Sequence, residues 1–119
     1  PKIAAYLEKN IAKAGFVAQS RVVRANAFRC GAPLEAAGPR YDLVFVDPPY
    51  ARTREVGVGS LLAQLFEVLA GQVVEKGVVV VRTEAGVPLP QTYGPFTAID
   101  MRRWGSMSIV LYQVGGHDE

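Results

Sequence analysis

Residues 41–52 read YDLVFVDPPYAR, a carboxylate, two prolines and an aromatic ring set directly behind a run of apolar residues. The Asp47 carboxylate can accept a hydrogen bond from an exocyclic –NH2 group. The Pro48 carbonyl, held in a stiff turn, offers a second acceptor at a fixed angle. Together they can grip both N–H bonds of an aromatic amine and aim its nitrogen lone pair at an electrophile. Tyr50 supplies a flat face on which a base can stack. An isolated Pro-Pro is an ordinary turn. Behind an apolar run, with an acid before it and an aromatic after it, the tetrapeptide Asp47, Pro48, Pro49 and Tyr50 is a candidate catalytic site.

The elements around this tetrapeptide have to hold it still. Residues 43–46 show no polar alternation, so they read as a strand covered on both faces. Pro48 and Pro49 lack backbone N–H groups and cannot continue a ladder. The position before a proline also biases Asp47 away from helix. The carboxylate therefore stands at the carboxyl end of a central strand, the edge where open α/β sheets bind ligands. Upstream, Ile3, Leu7, Ile11 and Ala14 recur at helical spacing, with Gly15 as C-cap. Residues 19–26 read as a short strand, and residues 30–40 as a Gly/Pro-rich loop with one helical turn. Ser60 can cap a helix carrying Leu61, Leu62, Leu65, Phe66 and Leu69, closed by Gly71. Residues 77–84 read as a second fully buried strand and residues 87–95 as a connector. Two apolar segments flanking Trp104 and Gly105 predict a β-hairpin. Helices alternating with buried strands predict an α/β fold with a mostly parallel sheet, ending in that antiparallel hairpin.

Composition narrows the function classes. The 119 residues are 50% apolar and 20% charged, with a net charge of +2, which permits a nucleic-acid partner without demanding one. Thirteen cations against four lysines leave Arg dominant, the residue that forks onto phosphate. Cys30 is the single cysteine, so there is no disulfide framework and a reducing, cytoplasmic setting is expected. Cys30 itself reads as a small buried residue. No apolar run is long enough for a membrane-spanning helix, and no His/Cys/Asp cluster implies a metal. His117 sits in a polar tail expected to fray.

The Asp-Pro-Pro-Tyr tetrapeptide at the end of an apolar strand resembles the signature of S-adenosylmethionine-dependent amino-methyltransferases. With "RVVRANAF" before it and "MRRWGSMSIVLY" near the end, the chain is most similar to the RsmD-like family. That resemblance implies a Rossmann-like methyltransferase sheet, S-adenosylmethionine as methyl donor, and the guanine N2 amine of small-subunit ribosomal RNA as acceptor. It further implies that Asn26, Ala27 and Phe28 line the adenine pocket, with Asn26 standing where the family carries an acid. The family's Gly-rich cofactor loop and ribose-binding acid have no counterpart here. The resemblance therefore implies that residues 1–119 are the C-terminal part of one catalytic domain, without the N-terminal cofactor-loop strands. Such a part would be inactive alone and prone to self-association along an uncovered strand edge. The same tetrapeptide also serves DNA adenine methylation, and a non-catalytic binding module is the reading from another class.

Four arginines are candidates for the RNA surface: Arg52 and Arg54 directly behind the signature, and Arg102 and Arg103 before Trp104. If Arg52 and Arg54 pair with phosphates, replacing both by Ala weakens RNA binding and flattens its log–log salt dependence, because fewer counterions are released. Filter binding across a salt series measures the slope; an unchanged slope puts both side chains in solvent.

Overall fold

A computed structural model describes residues 2–23, 25–31, 40–48 and 59–115. Pro49, Tyr50, Arg52, Arg54 and His117 lie outside the described residues. Three helices and five strands follow in the order α1 (Lys2–Ala14), α2 (Ala27–Cys30), β1 (Tyr41–Val46), α3 (Leu61–Leu69), β2 (Val73–Glu84), β3 (Thr92–Tyr93), β4 (Phe96–Trp104) and β5 (Met107–Val114). The strands form one sheet in the order β1-β2-β5-β4-β3. The α/β class holds, but the sheet is not mostly parallel among the described residues. Only β1 and β2 run parallel; the pairings β2–β5, β4–β5 and β3–β4 are antiparallel.

The difference has a local cause. Residues 19–26, expected as a strand, hold the end of a 3-10 turn (Val17–Gln19) and the Asn26 cap of α2. No described strand pairs with them, and apolar pattern alone does not satisfy a backbone. The sheet is then dominated by the long hairpin, which joins the core through β5. Its turn is tight: Trp104 pairs with Met107, and Gly105 has φ 54°, a backbone that a Cβ would oppose. The connector expected at residues 87–95 contains the two-residue strand β3, paired to β4. A pair that short carries no periodicity to read.

α3 forms as its spacing predicts. Ser60 Oγ accepts the Ala63 N–H at 3.2 Å, capping the first turn. Leu62, Leu65, Phe66 and Leu69 are buried along one stripe. That stripe packs on Val46, Val79, Val81, Val110 and Tyr112 from the sheet. Phe66 stacks on Tyr93 with centroids 4.4 Å apart and meets Phe96 and Tyr112 edge-on. Face-stacked and edge-on pairs suit the ring quadrupoles, so this cluster adds to plain burial.

The other face of the sheet is open among the described residues. Leu43 is 52% and Phe45 72% exposed, so β1 is covered on one face and not on both. The same holds in milder form for β2, where Gly77, Val79, Val81 and Thr83 are buried and Arg82 is exposed. α1 ends at Gly15 as expected, yet its stripe is largely exposed among the described residues: Ile3 is 84% and Leu7 48% exposed. Cys30, expected to be buried, is exposed at the end of the one-turn helix α2. No helix among the described residues is long and apolar enough to cross a membrane.

β2 is irregular at one point, and that point sets the register of the site. Lys76 has φ 66°. A Cβ on Gly77 would lie 2.8 Å from the Val74 carbonyl oxygen, so only glycine fits. The extra residues absorbed here let Tyr41 pair with Val73 while Leu43 pairs with Val78. From there β1 and β2 run in step to the Val46–Val81 pair.

Burial leaves a mark on titration. The Tyr93 hydroxyl is pushed up to about 12 by desolvation. Tyr112 is raised as well, first by burial and then by the nearby Tyr93 charge, and its hydroxyl donates to the Pro90 carbonyl at 2.6 Å. A tyrosine whose native pKa exceeds its unfolded value keeps its proton in the fold while the unfolded chain loses it. Stability is therefore complete below about pH 10 and falls as the pH rises from there towards 12. Denaturant midpoints measured from pH 8 to 12 should fall across that window, and Tyr93→Phe should flatten the fall. An equally steep loss in the variant would assign the alkaline limb to other groups.

Candidate functional site

Asp47 follows β1 without a break, and Pro48 stops the strand there as its missing N–H requires. The Asp47 side chain is 57% exposed at the carboxyl end of the parallel pair. A cleft of about 520 Å³ opens beside it. Its wall on one side is Val44, Phe45, Val46, Asp47 and Pro48; on the other it is Asn26, Ala27 and Phe28. Leu65 and Leu69 of α3 close the base. Two segments chosen from sequence for different roles thus face one space. It falls within the volume range of small-molecule sites.

The Asn26 segment is shaped by its own capping. Asn26 Oδ1 accepts the Phe28 N–H at 3.1 Å, starting α2. One lone pair of that oxygen is therefore engaged, and one remains for a ligand donor. Phe28 is half-buried and packs against the core. α2 is moored to the end of α3, where Gln72 Nε2 donates to the Cys30 carbonyl at 3.0 Å. An apolar wall with one oriented amide suits a flat heterocycle carrying an amino group. That is the chemistry of the adenine end of the donor, so these residues fit it.

Not every candidate gathers here. Arg102 and Arg103 lie on β4, separated from β1 by β2 and β5. Three strand spacings put them roughly 14 Å from the signature strand. Arg102 Nε pairs with Asp100 Oδ2 at 3.2 Å on its own strand, and neither arginine lines the cleft. The residue that the sequence reading passed over is Arg82. Its Nη1 lies 3.4 Å from Asp47 Oδ2. Nothing in a one-dimensional pattern couples residues 35 positions apart; only the β1–β2 register does.

The family comparison matches the model described as "Conserved hypothetical protein 95" over residues 1–113. No protein of curated function matches the chain. Among solved structures, a conserved hypothetical protein of Streptococcus pyogenes is 25% identical, with a TM-score of 0.75 over 98% of this chain and 69% of its own. HI0767 of Haemophilus influenzae is 24% identical, with a TM-score of 0.69 over 95% of this chain and 66% of its own. The rRNA methyltransferase aviRa of Streptomyces viridochromogenes is 25% identical, with a TM-score of 0.57 over 78% of this chain and 38% of its own. The chain thus spans about two thirds of the first two structures. A match running from before α1 to the penultimate residue of β5 takes in all but the last residue of the sheet and both walls of the cleft, and by it the chain belongs to the conserved hypothetical protein 95 family, the RsmD-like methyltransferases.

Proposed function

We propose that this chain carries the acceptor side of a methyltransferase that moves a methyl group from S-adenosylmethionine to an exocyclic amine of an RNA base. The specific acceptor we infer is guanine N2 of small-subunit ribosomal RNA. One observation supports the reading above the others: Asp47 and Pro48 share a cleft with Asn26, Ala27 and Phe28. An amine held by the first pair would stand beside a heterocycle held by the second group. The RNA acceptor is supported more thinly, by the fold shared with an rRNA methyltransferase and by the arginines at 52, 54, 102 and 103. DNA adenine has no observation of its own in its favour.

The donor's sulfonium methyl is already activated, so the protein's work is positioning. Asp47 accepts one N–H of the amine and the Pro48 carbonyl accepts the other, which points the lone pair outward. Pro49 stiffens the turn and Tyr50 stacks on the base. Transfer would form the N–C bond as the donor's S–C bond breaks and leaves its electron pair on a neutral thioether sulfur, and Asp47 would take the one N–H proton that the amine sheds. A base inside a helix has to leave its stack first. The cleft residues Asn26 and Phe28 hold the adenine. Cytoplasmic rRNA processing is the setting this chemistry fits.

A second inference concerns the chain as it stands. β1 has no strand on its outer side among the described residues, and the stripe of α1 is uncovered. The solved relatives are half as long again. We infer that useful donor affinity needs strands that these 119 residues do not supply, and that the free edge drives self-association.

Two measurements test these readings. Asp47→Ala, in the enzyme that contains this chain, should lower turnover by a factor on the order of 10²–10³, the scale for losing a positioning hydrogen bond in the transition state. Its melting temperature should hardly move, because the side chain is exposed; near-normal turnover in the folded variant sinks the assignment. For the 119-residue chain, calorimetric titration with S-adenosylmethionine should give no useful binding, and light scattering should rise with concentration. Tight binding by a strict monomer refutes the second inference.

A further inference from the structure

The Asp47 carboxylate is not alone at its strand end. Val46 of β1 pairs with Val81 of β2 in parallel register. The next residue on each strand is Asp47 and Arg82, so both side chains turn to the same face, abreast of one another. The Arg82 guanidinium meets Asp47 Oδ2 at 3.4 Å. On its other side, Arg82 is paired in register with Ile109 of β5, which brings no competing carboxylate. Glu84 follows two residues along the same face. Among the described residues, Asp47 has no other ion-pair partner.

We propose that Arg82 is a positioning residue for Asp47, holding Oδ2 so that Oδ1 stays available to the acceptor amine. The inference rests on the amine-holding reading of Asp47. The pair is half exposed, with 46% of Arg82 and 57% of Asp47 accessible, so its worth to stability is small. Its worth to geometry is another matter. Asp47 sits just past the end of β1, which has no strand on its outer side among the described residues, and the next residue, Pro48, has no N–H to give a ladder. Arg82 sits inside β2, which is hydrogen-bonded to strands on both sides. The guanidinium thus transfers the rigidity of the central strand to a carboxylate that would otherwise turn freely about χ1. Arg serves better than Lys because its planar fork has fewer orientations to lose.

Two readouts test this. In the 119-residue chain, Hα–Hβ couplings report the χ1 populations of Asp47. The wild type should show one dominant rotamer, Arg82→Ala an averaged set, and Arg82→Lys a partial return. In the enzyme containing the chain, Arg82→Ala should lower kcat about 10- to 100-fold, the cost of misplacing a reacting group by an ångström or less. KM for the donor should stay put, Arg82→Lys should recover part of the loss, and the melting temperature should not change. Asp47 couplings unmoved by Arg82→Ala overturn the proposal, as does a wild-type kcat in that variant. Should the unmodified enzyme transfer no methyl to RNA, the amine reading falls, and the couplings still decide whether Arg82 orders Asp47.

Discussion

The burial of Phe66 is the contact on which the rest of the molecule leans. Its ring stacks on Tyr93 and meets Phe96 and Tyr112 edge-on. One side chain of α3 thereby touches β3, β4 and β5, and the leucines on the same stripe share one buried core with Val46 of β1 and Val73, Val79 and Val81 of β2. Truncating a buried Phe typically costs about 3–5 kcal/mol, a large part of the stability of a small domain. The consequence here is geometric as well as energetic. Leu65 and Leu69, which form the base of the cleft, are carried by the same helix turn-by-turn. The cleft has its shape because the aromatic cluster fixes where α3 lies.

That single anchored layer also explains the asymmetry of the fold. One face of the sheet is packed; the other carries exposed Leu43, Phe45 and Trp104. The same sheet has an edge at β1 without a neighbouring strand among the described residues. Exposed apolar surface on a face and an edge together is more than scattered single residues, which need no explanation. The packed face holds the core and, at its margin by Leu65 and Leu69, the cleft, while Arg82 reaches Asp47 from the open face.

The parallel pair β1–β2 matters out of proportion to its size. Parallel register puts the carboxyl ends of both strands at the same edge. The irregularity at Lys76 and Gly77 sets that register, because five residues of β2 run opposite two of β1. A different offset would bring another residue of β2 abreast of Asp47. A glycine with no room for a Cβ, outside the lining of the cleft, is in this sense part of the site's construction.

Local signals carried far. The strand ending on Asp47, the Ser60 cap, the stripe of α3, the Gly15 stop of α1 and the hairpin around Gly105 were all legible, because each depends on neighbours within a turn or a ladder step. Asn26 and Phe28 stood out as one candidate pair, and Asp47 with Pro48 as another. That the two pairs share a cleft follows only from α2 docking on α3, and α3 on the sheet. Three readings needed information that no short window contains. The segment at residues 19–26 has strand composition, but no strand among the described residues pairs with it, and a strand is defined by its ladder. Leu43 and Phe45 have core composition, but coverage belongs to whatever packs on them. Arg82 bears no local mark of its role; its meeting with Asp47 is decided by register. By itself the sequence determined which residues are able to do the chemistry, because acceptors, rings and prolines are properties of residue types. Only the tertiary structure decided which of them meet, because pairing and packing join positions that are distant along the chain.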